Sequence, residues 1–133
     1  EECIRVSPQN LHLIGYLSSS EIARLYRVCD FFVFPSQYEI GPNVVLEAKA
    51  CGSICIVSPT GGGKRIYKPD YDGIIINKYD AKYWADIIKD LISDKKKLSI
   101  MKKFISKQQP ESWSEIFNRD ISPYWLKFLR NNK

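Results

Sequence analysis

The sequence predicts an α/β fold with a parallel sheet covered by helices on both faces, and three observations carry that prediction. Short, wholly apolar runs recur at Phe31-Phe-Val-Phe34, Ile54-Cys-Ile-Val57 and Ile74-Ile-Ile76. They show no apolar–polar alternation, which is how strands buried on both faces read. Between and after them lie stretches of helical period, each opened by a capping residue or a proline.

The elements follow in order. Leu11-His-Leu-Ile-Gly15 reads as a first short strand. Ser18-Ser-Ser-Glu21 has capping-box spacing, with Ser18 as N-cap and Glu21 reaching back. The helix it opens, about 19–28, sets Ile22, Leu25, Val28 and Cys29 on one side. Pro35 stops the strand at 31–34. A second helix is expected at about 42–51, with Pro42 in its first turn and Gly52 at its C-terminal cap.

The strand 54–57 ends at Ser58-Pro59, followed by Gly61-Gly-Gly63 and a helical turn over Lys64–Tyr67. Asp72-Gly73 marks a turn into the strand 73–77. Asp80 caps a helix at about 81–92, where Trp84, Ile87, Ile88, Leu91 and Ile92 keep the 3.6 period. Asp94 caps a basic helix with Leu98, Met101, Phe104 and Ile105 inward. Ser112-Trp-Ser-Glu115 repeats the capping-box spacing before a helix that Pro123 interrupts, and Trp125, Phe128 and Leu129 form a last apolar stripe. The whole is a Rossmann-like unit. Four strands are few for such a sheet, so a further βα unit is expected before residue 1.

Composition excludes other classes. The 133 residues are 44% hydrophobic and 26% charged, ordinary for one globular domain and wrong for a disordered chain. No apolar run approaches the ~20 residues of a membrane span. Cys3, Cys29, Cys51 and Cys55 form no CxxC pair, and His12 is the one histidine. They read as reduced, mostly buried thiols of a cytosolic protein, and His12 as a structural or surface residue. The net charge is +5, but residues 1–93 are near neutral at −1 while residues 94–133 carry +6. The basic character belongs to a helical tail at about 94–133. It lacks aromatic interleaving and a recognised motif, so no nucleic-acid partner is expected. An anionic membrane surface is the candidate partner for that tail.

In a parallel sheet, ligands bind beyond the carboxyl ends of the strands. Those ends are Gly15-Tyr16, Pro35 to Glu39, and Ser58 to Gly62. Glu39 precedes the helix at 42–51 and Glu47 lies about a turn and a half inside it. A helix start favours phosphate through its free N–H groups and dipole. Two carboxylates beside it suit a ligand that is part phosphate and part polyol, since carboxylates accept hydrogen bonds from vicinal hydroxyls.

Glu39-Ile-Gly-Pro-Asn-Val-Val-Leu-Glu47 resembles the Glu-x7-Glu motif of the family 4 retaining glycosyltransferases, which have the GT-B fold. The resemblance extends upstream through Glu21-Ile-Ala-Arg-Leu-Tyr and Cys29-Asp-Phe-Phe-Val-Phe-Pro-Ser36. It extends downstream through Ala48-Lys-Ala-Cys-Gly52, Gly61-Gly62, Asp72-Gly73 and Ser112-Trp113. It implies the C-terminal half of a GT-B enzyme, with residues 1–133 forming one partial nucleotide-sugar-binding domain. By that resemblance Glu39 is the catalytic-site carboxylate that contacts the donor sugar, and Glu47 binds the nucleotide ribose. Backbone N–H groups of Gly41, Asn43 and Val44 meet sugar hydroxyls and phosphate. Tyr16 stands at the nucleobase wall, and Thr60, Gly61 and Gly62 border the cleft.

The implied activity is transfer of a sugar, with retention, from a nucleotide-diphosphate donor to a glycan or lipid-linked acceptor in surface polysaccharide or glycolipid synthesis. Neither a cofactor nor a metal is expected. The location implied is cytoplasmic, peripheral on the inner face of the membrane. An N-terminal GT-B domain, in cis or as a separate chain, is the expected partner, and the chain alone is expected to bind donor weakly and catalyse poorly. A non-catalytic nucleotide-sugar-binding or partner subunit of the same fold is the alternative. Two departures stand out. Pro42 removes one N–H donor, and Lys64-Arg65 stand where relatives often carry an acid, either facing solvent or neutralising diphosphate.

Overall fold

A computed structural model describes residues 10–108 and 113–131. Its elements are α1 (Ser19–Val28), β1 (Phe31–Phe34), α2 (Asn43–Ala50), β2 (Ile54–Val57), a 3₁₀ turn (Gly63–Arg65), β3 (Ile74–Ile75), α3 (Ala81–Ser93) and α4 (Lys95–Ile105). After them come α5 (Trp113–Ile116), a π-helical turn (Phe117–Ile121) and α6 (Ser122–Asn131). The three strands pair in parallel in the order β1-β2-β3, with Phe31 opposite Ile54 and Ile56 opposite Ile74.

The period-2 alternation of the strands divides the core between the two faces of the sheet. Ile54, Ile56, Ile74 and Ile76 pack with Trp84 and Leu91 of α3 and Met101 and Ile105 of α4. Cys55 and Val57 point the other way, against Val45 and Ala48 of α2 and Ile66. Every residue of β2 is fully buried. The apolar runs therefore lack alternation because each face has its own helices to meet.

The caps hold as the spacing predicts. Ser18 and Glu21 form a reciprocal capping box at the start of α1. Asp80 accepts from the Tyr83 N–H at 2.7 Å, and Asp94 accepts from the Lys97 N–H at 2.9 Å. Gly52 follows α2 with φ +90°, the left-handed conformation that favours glycine after a helix.

Several expectations fail for physical reasons. Residues 11–15 form no strand; Leu13 and Ile14 are more than half exposed, and among the described residues no ladder pairs them. β1 is an edge strand with Val33 at 41% exposure, not a strand buried on both faces. α1 turns Ile22, Ala23, Leu25 and Tyr26 partly inward, while Val28 and Cys29 at its C-terminal end are exposed. Among the described cysteines Cys55 alone is buried and Cys51 is intermediate. Ile92 is exposed because two residues of the same stripe, Trp84 and Leu91, already fill the groove. Ser112, the expected last N-cap, lies outside the described residues. Pro123 does not break the helix. It falls in the first turn of α6, where its missing N–H is tolerated, and a π turn joins it to α5. Trp125 and Phe128 of the final stripe pack on each other but remain exposed.

Candidate functional site: a cleft at the carboxyl ends of the strands

Three loops leave the sheet on the side where a parallel fold collects ligands. Two of them are joined by hydrogen bonds. The Ser58 hydroxyl donates to the Ser36 carbonyl oxygen and accepts from the Gly61 N–H at 2.9 Å. The Thr60 hydroxyl donates to Gln37 O at 2.6 Å and lies 2.5 Å from the Tyr79 hydroxyl. The Gly61 and Gly62 positions are tight for a packing reason. A Cβ on Gly61 would collide with Ser36 O and Ser58 Oγ, and one on Gly62 would press on Val45 and Val57 at 3.0 Å. The glycine loop is thus a fixed turn. Its Gly62 and Gly63 N–H groups both donate to the Ser58 carbonyl, at 3.0 and 2.9 Å.

These loops enclose a cleft of about 180 Å³. One wall is Glu39, Ile40, Gly41 and Pro42, just before α2; the other is Thr60, Gly61, Gly62, Lys64 and Arg65. The cleft is smaller than the ~300–1,000 Å³ of sites that enclose a whole organic ligand, so it suits one part of a larger molecule. α2 begins at its edge with Pro42 as N-cap and no side chain capping the first turn. The early N–H groups of Asn43 and Val44 therefore carry the positive end of the helix without a capping oxygen.

Glu47 lies elsewhere. It lines a separate groove of about 380 Å³ between α1 and α2, with Ile22, Tyr26 and Cys51. The Tyr26 hydroxyl has its pKa pushed up, first by burial and then by the nearby Glu47 carboxylate. The two glutamates of the nine-residue motif thus face different cavities, Glu39 the cleft at the α2 start and Glu47 a groove along the middle and C-terminal part of α2. Gly41, Thr60, Gly61 and Gly62 share the cleft with Glu39; Asn43 is exposed beside it and Val44 packs partly into the core. Tyr16 stands 97% exposed and lines neither cavity.

Sequence reasoning missed the support beneath the cleft. Val45, Ala48 and Lys49 share the buried face of α2, so Lys49 points inward. Its ammonium donates to Asp72 at 2.8 Å and to the Arg65 carbonyl at 2.8 Å, and it lies 5.1 Å from the centre of the Tyr67 ring. Asp72, fully buried, also accepts from the N–H groups of Tyr67 and Lys68 at 3.0 Å each. This ion pair pins the segment that carries Lys64 and Arg65. The signal was present: a lysine four residues after Val45, on an otherwise apolar helix face, needs a buried carboxylate. Ser58 and Tyr79 carried no comparable sign.

The tail is partly tied down. Lys97 pairs with Asp70 at 2.7 Å and Lys102 with Asp30 at 2.6 Å. Among the described residues no helix is long and apolar enough to cross a membrane.

Comparison with known proteins shows the family and the fold. A Campylobacter jejuni N,N'-diacetylbacillosaminyl-diphospho-undecaprenol alpha-1,3-N-acetylgalactosaminyltransferase is 37% identical over 95 residues, 71% of this chain and 25% of the relative. An Escherichia coli UDP-Gal:alpha-D-GlcNAc-diphosphoundecaprenol alpha-1,3-galactosyltransferase is 33% identical over 71% of this chain and 24% of its own length. The chain therefore spans about a quarter of these relatives. Among solved structures, Anabaena HepE in complex with UDP-glucose superposes with a TM-score of 0.67 at 22% identity, over 78% of this chain and 29% of that one. The C-terminal domain of a glycosyl transferase group 1 family protein, LpcC of Francisella tularensis, gives 0.66 at 22% identity, over 89% of this chain and 58% of that domain's chain. Those likenesses show the fold, the α/β arrangement of GT-B glycosyltransferases. The sequence model described as "Glycosyl transferases group 1" matches residues 7–108, well over half of the sequence, and the chain belongs to that family.

Proposed function

We propose that residues 1–133 form the donor-binding part of a retaining glycosyltransferase. The enzyme transfers a sugar from a nucleoside-diphosphate donor to a lipid-linked or glycan acceptor in surface polysaccharide or glycolipid synthesis. The observation that carries this reading is the separation of the two glutamates into two cavities beside α2. Glu39 and the uncapped start of α2 border the small cleft, and Glu47, further along the helix, faces the α1–α2 groove. A nucleotide sugar has the matching order: sugar, diphosphate, ribose.

In this reading Glu39 accepts hydrogen bonds from sugar hydroxyls and Glu47 from the ribose. The N–H groups of Gly41, Asn43 and Val44 meet phosphate and sugar oxygens, and Tyr16 borders the base. Thr60, Gly61 and Gly62 act by shape, because the Thr60 hydroxyl and the Gly61 and Gly62 N–H groups are already engaged within the protein. In the reaction the bond between the anomeric carbon and the diphosphate oxygen breaks. The diphosphate leaves with the electron pair, and an acceptor hydroxyl bonds to that carbon on the same face and gives its proton to the departing diphosphate oxygen. The acceptor side belongs to an N-terminal domain, in cis or as a separate chain, and no metal cofactor takes part.

The acceptor class draws support from two relatives whose names specify diphospho-undecaprenol-linked sugars. A cytoplasmic position, peripheral on the inner membrane face, fits that acceptor. The exposed Tyr124, Trp125 and Phe128 of α6, with Lys95, Lys96 and Lys103 of α4, which have no ion pair among the described residues, would meet anionic lipid there. Titration of the labelled chain with UDP, GDP and their sugar conjugates, followed by NMR, tests the reading. Shifts at the Glu47 and Gly61 amides are expected. A folded sample that shows none with any donor refutes it.

A further inference from the structure

We infer that Lys64 and Arg65 select a donor whose sugar carries an acidic group, such as a hexuronic acid; the inference rests on the donor-site reading above. Both cations line the same small cleft as Glu39. The Arg65 guanidinium lies over Gly41, where a Cβ would stand 3.2 Å from its Nη2. It therefore reaches the wall that faces the sugar in the proposed binding order, away from the ribose groove. Its backbone is fixed there by the Lys49 bond to its carbonyl.

The cleft needs an anion for two reasons. One carboxylate faces two cations, and neither Lys64 nor Arg65 has an ion-pair partner among the described residues. The glycine loop cannot supply the anion contacts itself, because the N–H groups of Gly61, Gly62 and Gly63 all donate to Ser58. A neutral sugar would leave both cations facing hydroxyls. A carboxylate on the sugar would receive charge-assisted bonds from the guanidinium fork and the ammonium, while Glu39 keeps the hydroxyls.

The test is a binding panel on the 133-residue chain by calorimetry. The ligands are UDP, UDP-glucose, UDP-glucuronic acid, GDP, GDP-mannose and GDP-mannuronic acid. Wild type should bind the uronic acid conjugate of its preferred nucleotide about tenfold more tightly than the neutral one. Arg65→Ala and Lys64→Ala should each bring that ratio towards one, and Arg65→Lys should restore part of it. Arg65→Ala removes no atom that bonds to Lys49, so the fold persists, and a circular dichroism melt checks this. An equal affinity for neutral and acidic conjugates overturns the inference and leaves the donor site intact. A weakening of UDP or GDP itself by Arg65→Ala also overturns it, because the cations would then serve the diphosphate. Binding of none of the six ligands refutes the donor-site reading, and this inference with it.

Discussion

The Asp72→Ala substitution should be among the most damaging single changes in this chain. It strips the Lys49 ammonium of its counter-ion and leaves that charge in a site where Lys49 is only 9% exposed. It also leaves the N–H groups of Tyr67 and Lys68 without their acceptor. Hydrogen bonds to a charged group are worth about 1.5–3 kcal/mol each, so three set a ceiling of roughly 4.5–9 kcal/mol. Relaxation and the entry of water lower that ceiling. Breaking a buried ion pair by removing one partner costs about 3–5 kcal/mol, and we adopt that range. The total stability of a domain is about 5–15 kcal/mol, so the variant should be marginal. Urea denaturation followed by tryptophan fluorescence measures the loss, with a fall in Tm of roughly 10–20 °C expected beside it. Adding Lys49→Met should recover part of the loss by removing the stranded charge, though not the part due to the two amides. A loss below about 1 kcal/mol, or strict additivity in the double variant, would refute the reasoning.

Four further outcomes follow from the same geometry. Glu47→Ala should weaken nucleotide binding about tenfold without changing the melting curve, because Glu47 is exposed and outside the core; an unchanged affinity by calorimetry removes it from the site. Gly61→Ala should cost about 1–3 kcal/mol in urea melts, since its Cβ meets the Ser36 carbonyl, and a neutral effect would contradict the fixed-turn description. Burial pushes the Cys55 thiol up from its ordinary 9.0 to about 12. The folded state therefore keeps a proton that the unfolded state releases. This contribution is full below about pH 9 and is lost as pH rises towards 12. From pH 8 to 10 wild type should lose roughly 1–1.5 kcal/mol more than Cys55→Ala, and equal pH slopes in the two melts would refute this. Finally, EDTA treatment should leave donor affinity unchanged; a loss restored by Mg²⁺ would overturn the metal-free reading.

How much was legible beforehand depends on how local the signal is. The helices at 19–28 and 81–93 were readable nearly to the residue, because a capping side chain acts on an N–H three positions away. The strand at 54–57 was readable because burial on both faces leaves no polar position in the run, and the strand at 31–34 because its four residues are all apolar although Val33 stays exposed. The stretch at 11–15 has a similar local look, yet among the described residues no strand pairs with it. The two glutamates were found by spacing, but spacing does not say which cavity each faces. The Lys49–Asp72 pair spans 23 residues, and nothing in either neighbourhood names the other.

What the sequence determined on its own was therefore most of the helices and the strands at 31–34, 54–57 and 74–75, the two-sided core and the family motif, all of which depend on short-range pattern. The tertiary structure alone decided that Glu39 and Glu47 serve separate cavities. It decided too that the glycine loop spends its N–H groups on Ser58, and that Arg65 swings over Gly41. Those facts turn on how loops from three strands close on one another. That closure is set by contacts such as Ser58 to Ser36 and Lys49 to Asp72, whose partners lie more than twenty residues apart.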